Sequence, residues 1–148
     1  VAASILSRAY VDNAYVFTFV RNPWDRLVSY ARYRSQTPES FPGVVASLET
    51  IPRVGLDSAE PGSQANPQVS WLNGIVPDTV GRYETLARDW RKIAEKCDLL
   101  QTLPHLKAST TGSNDYHRWY TRELWDRVAK HYREDIERFY YYEDWRGP

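Results

Sequence analysis

The feature that most constrains this fold is the passage from Tyr15 to Tyr30. Tyr15 to Val20 reads Tyr-Val-Phe-Thr-Phe-Val, a nearly unbroken run of β-branched and aromatic residues. Such a run predicts a strand buried on both faces, as in a parallel sheet. Arg-Asn-Pro-Trp-Asp follows at 21–25 with no linker. Asn22 suits an N-cap, Pro23 the first helical position and Asp25 the first turn. The helix is expected to run to about Arg34, with Trp24, Leu27, Val28 and Ala31 as its apolar stripe at i, i+3, i+4 and i+7. A strand passing directly into a capped helix is the unit from which α/β sheets are built.

The rest of the chain is consistent with that unit. Residues 36–77 hold six of the nine prolines and four of the seven glycines, so a loop-rich excursion is expected there. Phe41, Val44, Val45 and Leu48 share a face and predict one short helix inside it. Asp78 to Glu84 predicts a second short strand. Thr85 is then expected to cap a helix with Leu86, Trp90, Ile93, Ala94 and Cys97 on one side. After a polar loop at 107–115, Thr121 is expected to cap the longest helix, with Leu124, Val128, Tyr132, Ile136 and Phe139 as its buried stripe. Asp126–Lys130 and Glu134–Arg138 are spaced as i, i+4 pairs on its wet side. Two strands make a thin sheet, and a sheet that small seldom stands alone.

The charge balance excludes some functions. Nineteen basic residues meet nineteen acidic ones, which disfavours a polyanion binder working through bulk charge. Fifteen of the basic residues are Arg and four are Lys, so specific forks for phosphate or carboxylate remain available. A lone cysteine, Cys97, excludes a disulfide within this sequence and a Cys-based zinc site. His105, His117 and His131 match no zinc spacing. No apolar run approaches the roughly 20 residues that span a bilayer. There is no Met even at position 1, and the expectation is a piece of a longer or processed protein.

The candidate site is the strand–helix junction. Ligands of open α/β sheets bind at the carboxyl ends of strands. A helix start there is expected to offer free N–H groups and positive potential. Arg21 sits at the junction with an always-charged fork. Ser29 lies about 140° from the apolar stripe on the helical period, so its hydroxyl is free to face a cleft. One phosphate could be shared by the two, by charge and by hydrogen bond. The bland alternative is an arginine paired with Asp25 and a serine facing solvent. For Arg26 the structural reading is preferred, a pair with an acidic neighbour. Trp71, Trp90 and Trp125 are expected in the core. Trp119 and Tyr120, in a polar loop, are the aromatics best placed to meet an acceptor. His131 is expected to be solvated. Tyr140, Tyr141 and Tyr142 are expected to pack at a helix end or an interface.

Phe-Val-Arg-Asn-Pro-Trp-Asp-Arg-Leu-Val-Ser-Tyr (19–30) resembles the 3′-phosphate-binding motif of sulfotransferases that use PAPS (3′-phosphoadenosine 5′-phosphosulfate). The wording is most similar to the carbohydrate branch, of chondroitin/dermatan type, and its bacterial relatives. Asn-Pro-Gln-Val-Ser-Trp-Leu (66–72), Val-Gly-Arg-Tyr-Glu-Thr-Leu (80–86), Leu-Pro-His-Leu-Lys-Ala-Ser (103–109) and the tail around Tyr120, Asp135 and Phe139 are similar to further family segments, in consistent order. The resemblance implies that Arg21 and Ser29 hold the 3′-phosphate, that Tyr83 lies near the adenine, and that Ser109 helps close the nucleotide pocket. Lys107 stands where the family shows Asn, which removes an amide contact. An aromatic on a strand is ordinarily core, which is the competing reading for Tyr83.

The family also holds the 5′-phosphosulfate in a Lys-, Gly- and Thr-rich strand–loop–helix. Here the first glycine is Gly43 and the first lysine Lys92, and no His or Glu precedes the first strand. The expected fold is therefore α/β: a partial P-loop-type parallel sheet flanked by helices, lacking the N-terminal phosphosulfate-binding strand–loop–helix. The whole chain, 1–148, is expected to be a single domain, the C-terminal part of a sulfotransferase, with its catalytic base outside it and no activity alone. The implied reaction moves a sulfuryl group from PAPS, without a metal, to an acceptor hydroxyl, with a glycan preferred over a lipid or a small alcohol as the acceptor. Location follows source, a Golgi lumen for eukaryotic relatives or a cytoplasm for bacterial ones. The alternative is a non-catalytic nucleotide- or nucleic-acid-binding module, and nucleic acid is disfavoured by the zero net charge.

Overall fold

The computed structural model describes residues 14–50, 63–72, 75–103 and 113–147. In chain order the elements are β1 (Phe17–Val20), α1 (Pro23–Tyr33), α2 (Phe41–Ser47), α3 (Val69–Leu72), β2 (Thr79–Arg82), α4 (Leu86–Lys96), α5 (Arg122–His131) and α6 (Arg133–Phe139). Short 3₁₀ turns occupy Ser63–Ala65, Tyr83–Thr85 and Ser113–Trp119. This is a mixed α/β chain with a small parallel two-stranded sheet and flanking helices. It divides into two compact units, one of Val1–Arg21 with Gly74–Ala108 and one of Asn22–Asn73 with Ser109–Pro148.

The first unit is built on β1 and β2. They pair in parallel with Phe17 opposite Thr79 and Val20 opposite Arg82. The start of the ladder is clamped from both sides. Val16 N donates to Asp78 Oδ2 at 2.8 Å, Asp78 N donates to Val16 O at 2.7 Å, and the Tyr15 and Thr79 hydroxyls share a short hydrogen bond. Gly81 is required where it stands. A Cβ there would lie 2.4 Å from Cε1 and 2.7 Å from Cδ1 of Phe19, so only a bare backbone lets the Phe19 ring cross β2. Phe17 in turn meets Trp90 of α4 edge-on at 6.0 Å.

Two expectations need correction in this unit. β1 is not buried on both faces: Val20 is buried, but Phe17 is 37% exposed. Among the described residues one helix packs on the two strands, so part of the sheet is left uncovered by them. Nor does Thr85 cap α4 through its side chain. Its hydroxyl donates instead to Asp89 Oδ2 at 2.7 Å, and the same oxygen accepts the Arg82 N–H at 3.0 Å. The carboxylate one turn into the helix thus closes the strand-to-helix turn.

The second unit is helical around an aromatic core. Asn22 caps α1 as expected, and Trp24, Leu27, Val28 and Ala31 are all buried. Trp24 stacks on Trp125 at 4.3 Å. Its indole Nε1 donates to Trp125 O at 3.2 Å. Such offset aromatic pairs add to the area they bury. Phe41 of α2 meets Trp119 and Tyr120 edge-on at 5.4 and 5.1 Å.

The expected single long helix after Thr121 is two helices broken at Tyr132. Thr121 does cap the first, accepting from Leu124 N at 3.3 Å. Tyr132 leaves helical geometry, at φ −98° and ψ 22°, and its buried hydroxyl donates to Ala65 O at 2.6 Å. The tie to Ala65 holds residue 132 in place without a Pro or Gly. Tyr132 N still donates to Val128 O, and Ile136 N to Tyr132 O, each at 3.0 Å. The phase of the stripe survives, and Leu124, Val128, Tyr132, Ile136 and Phe139 are all buried. Further i, i+4 pairs lie on the wet side: Arg122 engages Asp126 at 3.0 Å, and Arg133 engages Glu137 at 2.7 Å. Tyr140 closes α6 in the left-handed region at φ 57°; Tyr141 is buried while Tyr140 and Tyr142 are exposed.

Candidate functional site

At the carboxyl end of the sheet the register places two residues side by side. Arg21 and Tyr83 each lie one step beyond the last pair, Val20 opposite Arg82. The Arg21 guanidinium carbon sits 4.3 Å from the Tyr83 ring centroid. Tyr83 is 48% exposed, so it is not the core aromatic of the competing reading. A guanidinium is attracted to an aromatic face, and the ring limits the arginine's rotamers.

The turn beneath this pair is held by Asp89. Besides the Arg82 N–H and the Thr85 hydroxyl, Asp89 receives Arg88 Nε at 3.0 Å. Arg88 also donates to the Thr85 hydroxyl at 3.0 Å. Burial alone would push this carboxyl up. The hydrogen bonds from Arg82, Thr85 and Arg88, with the Arg88 charge, outweigh it and hold the group down at about 2. Asp89 is therefore a carboxylate under all ordinary conditions, and Arg88 balances its charge. Asp89 escaped the sequence reading. Its position four residues after Thr85, at the head of a helix, was the available signal. A cavity of about 230 Å³ on the same unit is lined by Thr79, Val80, Arg82, Arg88, Asp89 and Lys92.

Ser29 lies in α1 in the second unit, half-buried and off the apolar stripe. Its helix start departs from expectation. Pro23 has no N–H. Those of Trp24 and Asp25 donate to Asn22 Oδ1 at 3.0 and 3.3 Å, and Arg26 N donates to Asn22 O at 2.8 Å. The first turn therefore offers an anion no free backbone donor, and any phosphate here is a matter for side chains. The Asn-Pro that makes the cap efficient is also what consumes the donors.

Arg26 is structural, as expected. Its guanidinium donates to Gln64 O and Asn66 O at 2.9 and 2.8 Å. It lies 4.9 Å from each of the Trp71 and Tyr132 ring centroids and 3.8 Å from Asp135 Oδ2. Asp135 is fully buried and accepts from Gln68 N at 2.7 Å and Val69 N at 2.9 Å. Burial pushes its carboxyl up against the opposing pull of those bonds and of Arg26. The Pro-Gln-Val-Ser-Trp-Leu segment is thus bolted to α6, which accounts for Gln68 and Asp135 without a ligand.

Trp119 and Tyr120 do not face an acceptor. They are 8% and 3% exposed. Tyr120 donates its hydroxyl to Trp24 O at 2.9 Å, because the 3₁₀ turn before them is folded into the core. His131 is half-buried rather than solvated, edge-on to Tyr132 at 4.6 Å. Trp125 is core, while Trp71 and Trp90 are half-buried. Ser109, Lys107 and His105 lie outside the described residues. Among the described residues no cluster of His, Cys, Asp and Glu could hold a metal, and no helix is long and apolar enough to cross a membrane.

The sequence matches the sulfotransferase family over residues 3–142. The chain belongs to the sulfotransferase family. No curated protein and no solved structure matches it. The family is one of sulfotransferase-type enzymes. That membership spans both units, so the Arg21–Tyr83 strand end and the Ser29 helix belong to one sulfotransferase sequence.

Proposed function

We propose that this sulfotransferase chain binds the 3′-phosphate end of PAPS and presents the donor for transfer to a hydroxyl of a carbohydrate acceptor. The observation that carries the reading is the Arg21 guanidinium held against the exposed Tyr83 ring at the carboxyl end of a parallel pair. That is where an open α/β sheet takes its ligand. An arginine fixed by a ring presents a fork suited to a phosphate monoester. With the α1 start internally capped, the phosphate is held by side chains: Arg21 by charge, Ser29 by its hydroxyl. Tyr83 lies near the adenine, and Ser109 helps close the pocket. The carbohydrate acceptor rests on the similarity of segment 19–30 to the carbohydrate branch.

The donor supplies the sulfuryl group. This chain's contribution is position: it anchors the end of the donor remote from the reacting sulfur. Binding energy gathered there fixes the donor's orientation, and positioning together with charge stabilisation supplies the rate in transfers of this kind. Arg21 and Ser29 also select the donor, because ordinary adenine nucleotides lack a 3′-phosphate to meet them.

Titration calorimetry with adenosine 3′,5′-bisphosphate and with 5′-AMP tests the proposal. The bisphosphate is expected to bind at least about tenfold more tightly, the size of one charge-assisted contact. Arg21→Ala is expected to bring the two affinities together. Equal affinity in the unaltered protein overturns the reading.

A further inference from the structure

Segment 140–147 follows the last helix, and its one carboxylate with several partners is Glu143. Asn22 Nδ2 donates to Glu143 Oε2 at 2.7 Å. The Tyr116 hydroxyl donates to the same carboxylate at 2.9 and 3.0 Å. His117 Nε2 lies 3.4 Å from Oε1. Asn22 and Tyr116 are both buried, while the His117 and Glu143 side chains are 20% and 21% exposed, so the cluster is partly sheltered from water. All four residues belong to the second unit.

We propose that Glu143 is a positioning residue for the donor site, acting through the side-chain amide of Asn22; this rests on the reading of Arg21 and Ser29 given above. The oxygen and nitrogen of an asparagine amide are nearly the same size, and hydrogen bonds alone decide which way it faces. In this protein Oδ1 must face Trp24 N and Asp25 N for α1 to be capped. A flipped amide would set an NH₂ against two N–H donors. Asn22 Nδ2 meets Glu143 Oε2 at 2.7 Å and, more distantly, the Tyr116 hydroxyl oxygen at 3.5 Å; a hydroxyl can face either end of an amide, whereas carboxylate oxygens accept, so Glu143 takes the NH₂. It therefore selects the capping orientation. The cap fixes the start of the helix that carries Ser29, so Glu143 acts on that anion-holding group through the helix itself.

The experiment uses the full chain with adenosine 3′,5′-bisphosphate and 5′-AMP, and thermal unfolding to confirm folding. Glu143→Leu removes both acceptor oxygens at similar volume. It is expected to shrink the preference for the bisphosphate by about five- to tenfold, the worth of one helix cap. Glu143→Gln keeps an acceptor for Asn22 and an NH₂ for the Tyr116 hydroxyl, and is expected to stay close to the unaltered protein. The decisive arm is Asn22→Asp in the Glu143→Leu background. An aspartate caps with either oxygen and needs no orienting partner, so this double variant is expected to regain the preference. A merely structural loss at Glu143 would not be repaired at residue 22. The Asn22 side-chain amide signals in NMR are expected to be sharp and well dispersed in the unaltered protein and to lose that character in Glu143→Leu. Unchanged preference and unchanged amide signals in Glu143→Leu, or failure of the double variant to recover, overturn the proposal. If the unaltered protein shows no preference, or Arg21→Ala leaves the preference intact, the donor-site reading falls and takes the Glu143 role with it, while the amide signals still report whether the orientation argument holds.

Discussion

The Arg21 guanidinium carbon lies 4.3 Å from the centre of the Tyr83 ring, and the two residues occupy equivalent places just past the paired strands. The ladder register brings them together: once Val20 faces Arg82, the next residues have nowhere else to meet. The ring's role is to restrict the arginine. Tyr83→Phe keeps the face and is expected to leave bisphosphate affinity nearly unchanged. Tyr83→Ala is expected to cost about 0.5–1 kcal/mol, two- to fivefold in affinity.

Removing the arginine itself is a larger change. Arg21→Ala is expected to lower bisphosphate affinity by about 2–5 kcal/mol, with little effect on 5′-AMP. Arg21→Lys keeps the charge but loses the fork and the stacking plane, and falls between. Ser29→Ala is expected to cost about 1–2 kcal/mol, one hydrogen bond to a charged group. Calorimetric titration of each variant with both nucleotides checks the series.

Gly81→Ala places a methyl carbon inside the Phe19 ring's contact distance. The ring must turn away or the strands must part, at an expected cost of about 1–3 kcal/mol in urea unfolding. Phe19→Leu in the same chain removes the obstructing atoms, so the two substitutions together are expected to cost less than their sum.

The pH dependence of the first unit follows from Asp89. Its carboxyl is depressed in the folded chain, from the ordinary 3.8 to about 2. The unfolded chain therefore binds its proton first. The stability contributed by Asp89 is fully present above about pH 4 and is lost as pH falls through about 2. Asp89→Asn removes this titration, and thermal melts of both proteins between pH 2 and 5 are expected to converge at the acid end.

Two ion pairs of similar appearance are expected to behave differently. Arg26 and Asp135 are 12% and 0% exposed at their side chains, so Asp135→Ala strands a buried guanidinium, at an expected cost of about 3–5 kcal/mol. Arg133 and Glu137 are 77% and 53% exposed, and Arg133→Ala is expected to change stability by less than about 0.5 kcal/mol. Urea denaturation of the two variants compares them directly.

Local signals carried well from sequence to structure. Asn22, Pro23 and the Trp24–Ala31 stripe define α1 because a cap, a preset φ and a 3.6-residue period act within one stretch of chain. The stripe from Leu124 to Phe139 was legible for the same reason, although the break at Tyr132 was not. That break answers to a carbonyl at Ala65, far away in the chain. The donors of the α1 start were misjudged because the residue that advertises the helix also consumes its N–H groups. At the candidate site, Arg21 was readable from its place after a strand. Asp89 and Glu143 were not, since each draws its meaning from partners that only folding supplies.

The parallel pairing of β1 and β2 joins positions 62 residues apart. Closing a loop of that length costs about 4 kcal/mol in chain entropy before any rung of the ladder rewards it. The order of assembly follows. Neighbouring turns of helix can form early, whereas the strand end bearing Arg21 waits for its counterpart. On a ribosome adding about 5–20 residues each second, Phe17–Val20 would wait roughly 3–12 s for its partner Thr79–Arg82. That interval is the one in which a nascent chain of this design is most exposed to sticking to its neighbours, and most dependent on whatever shelters it.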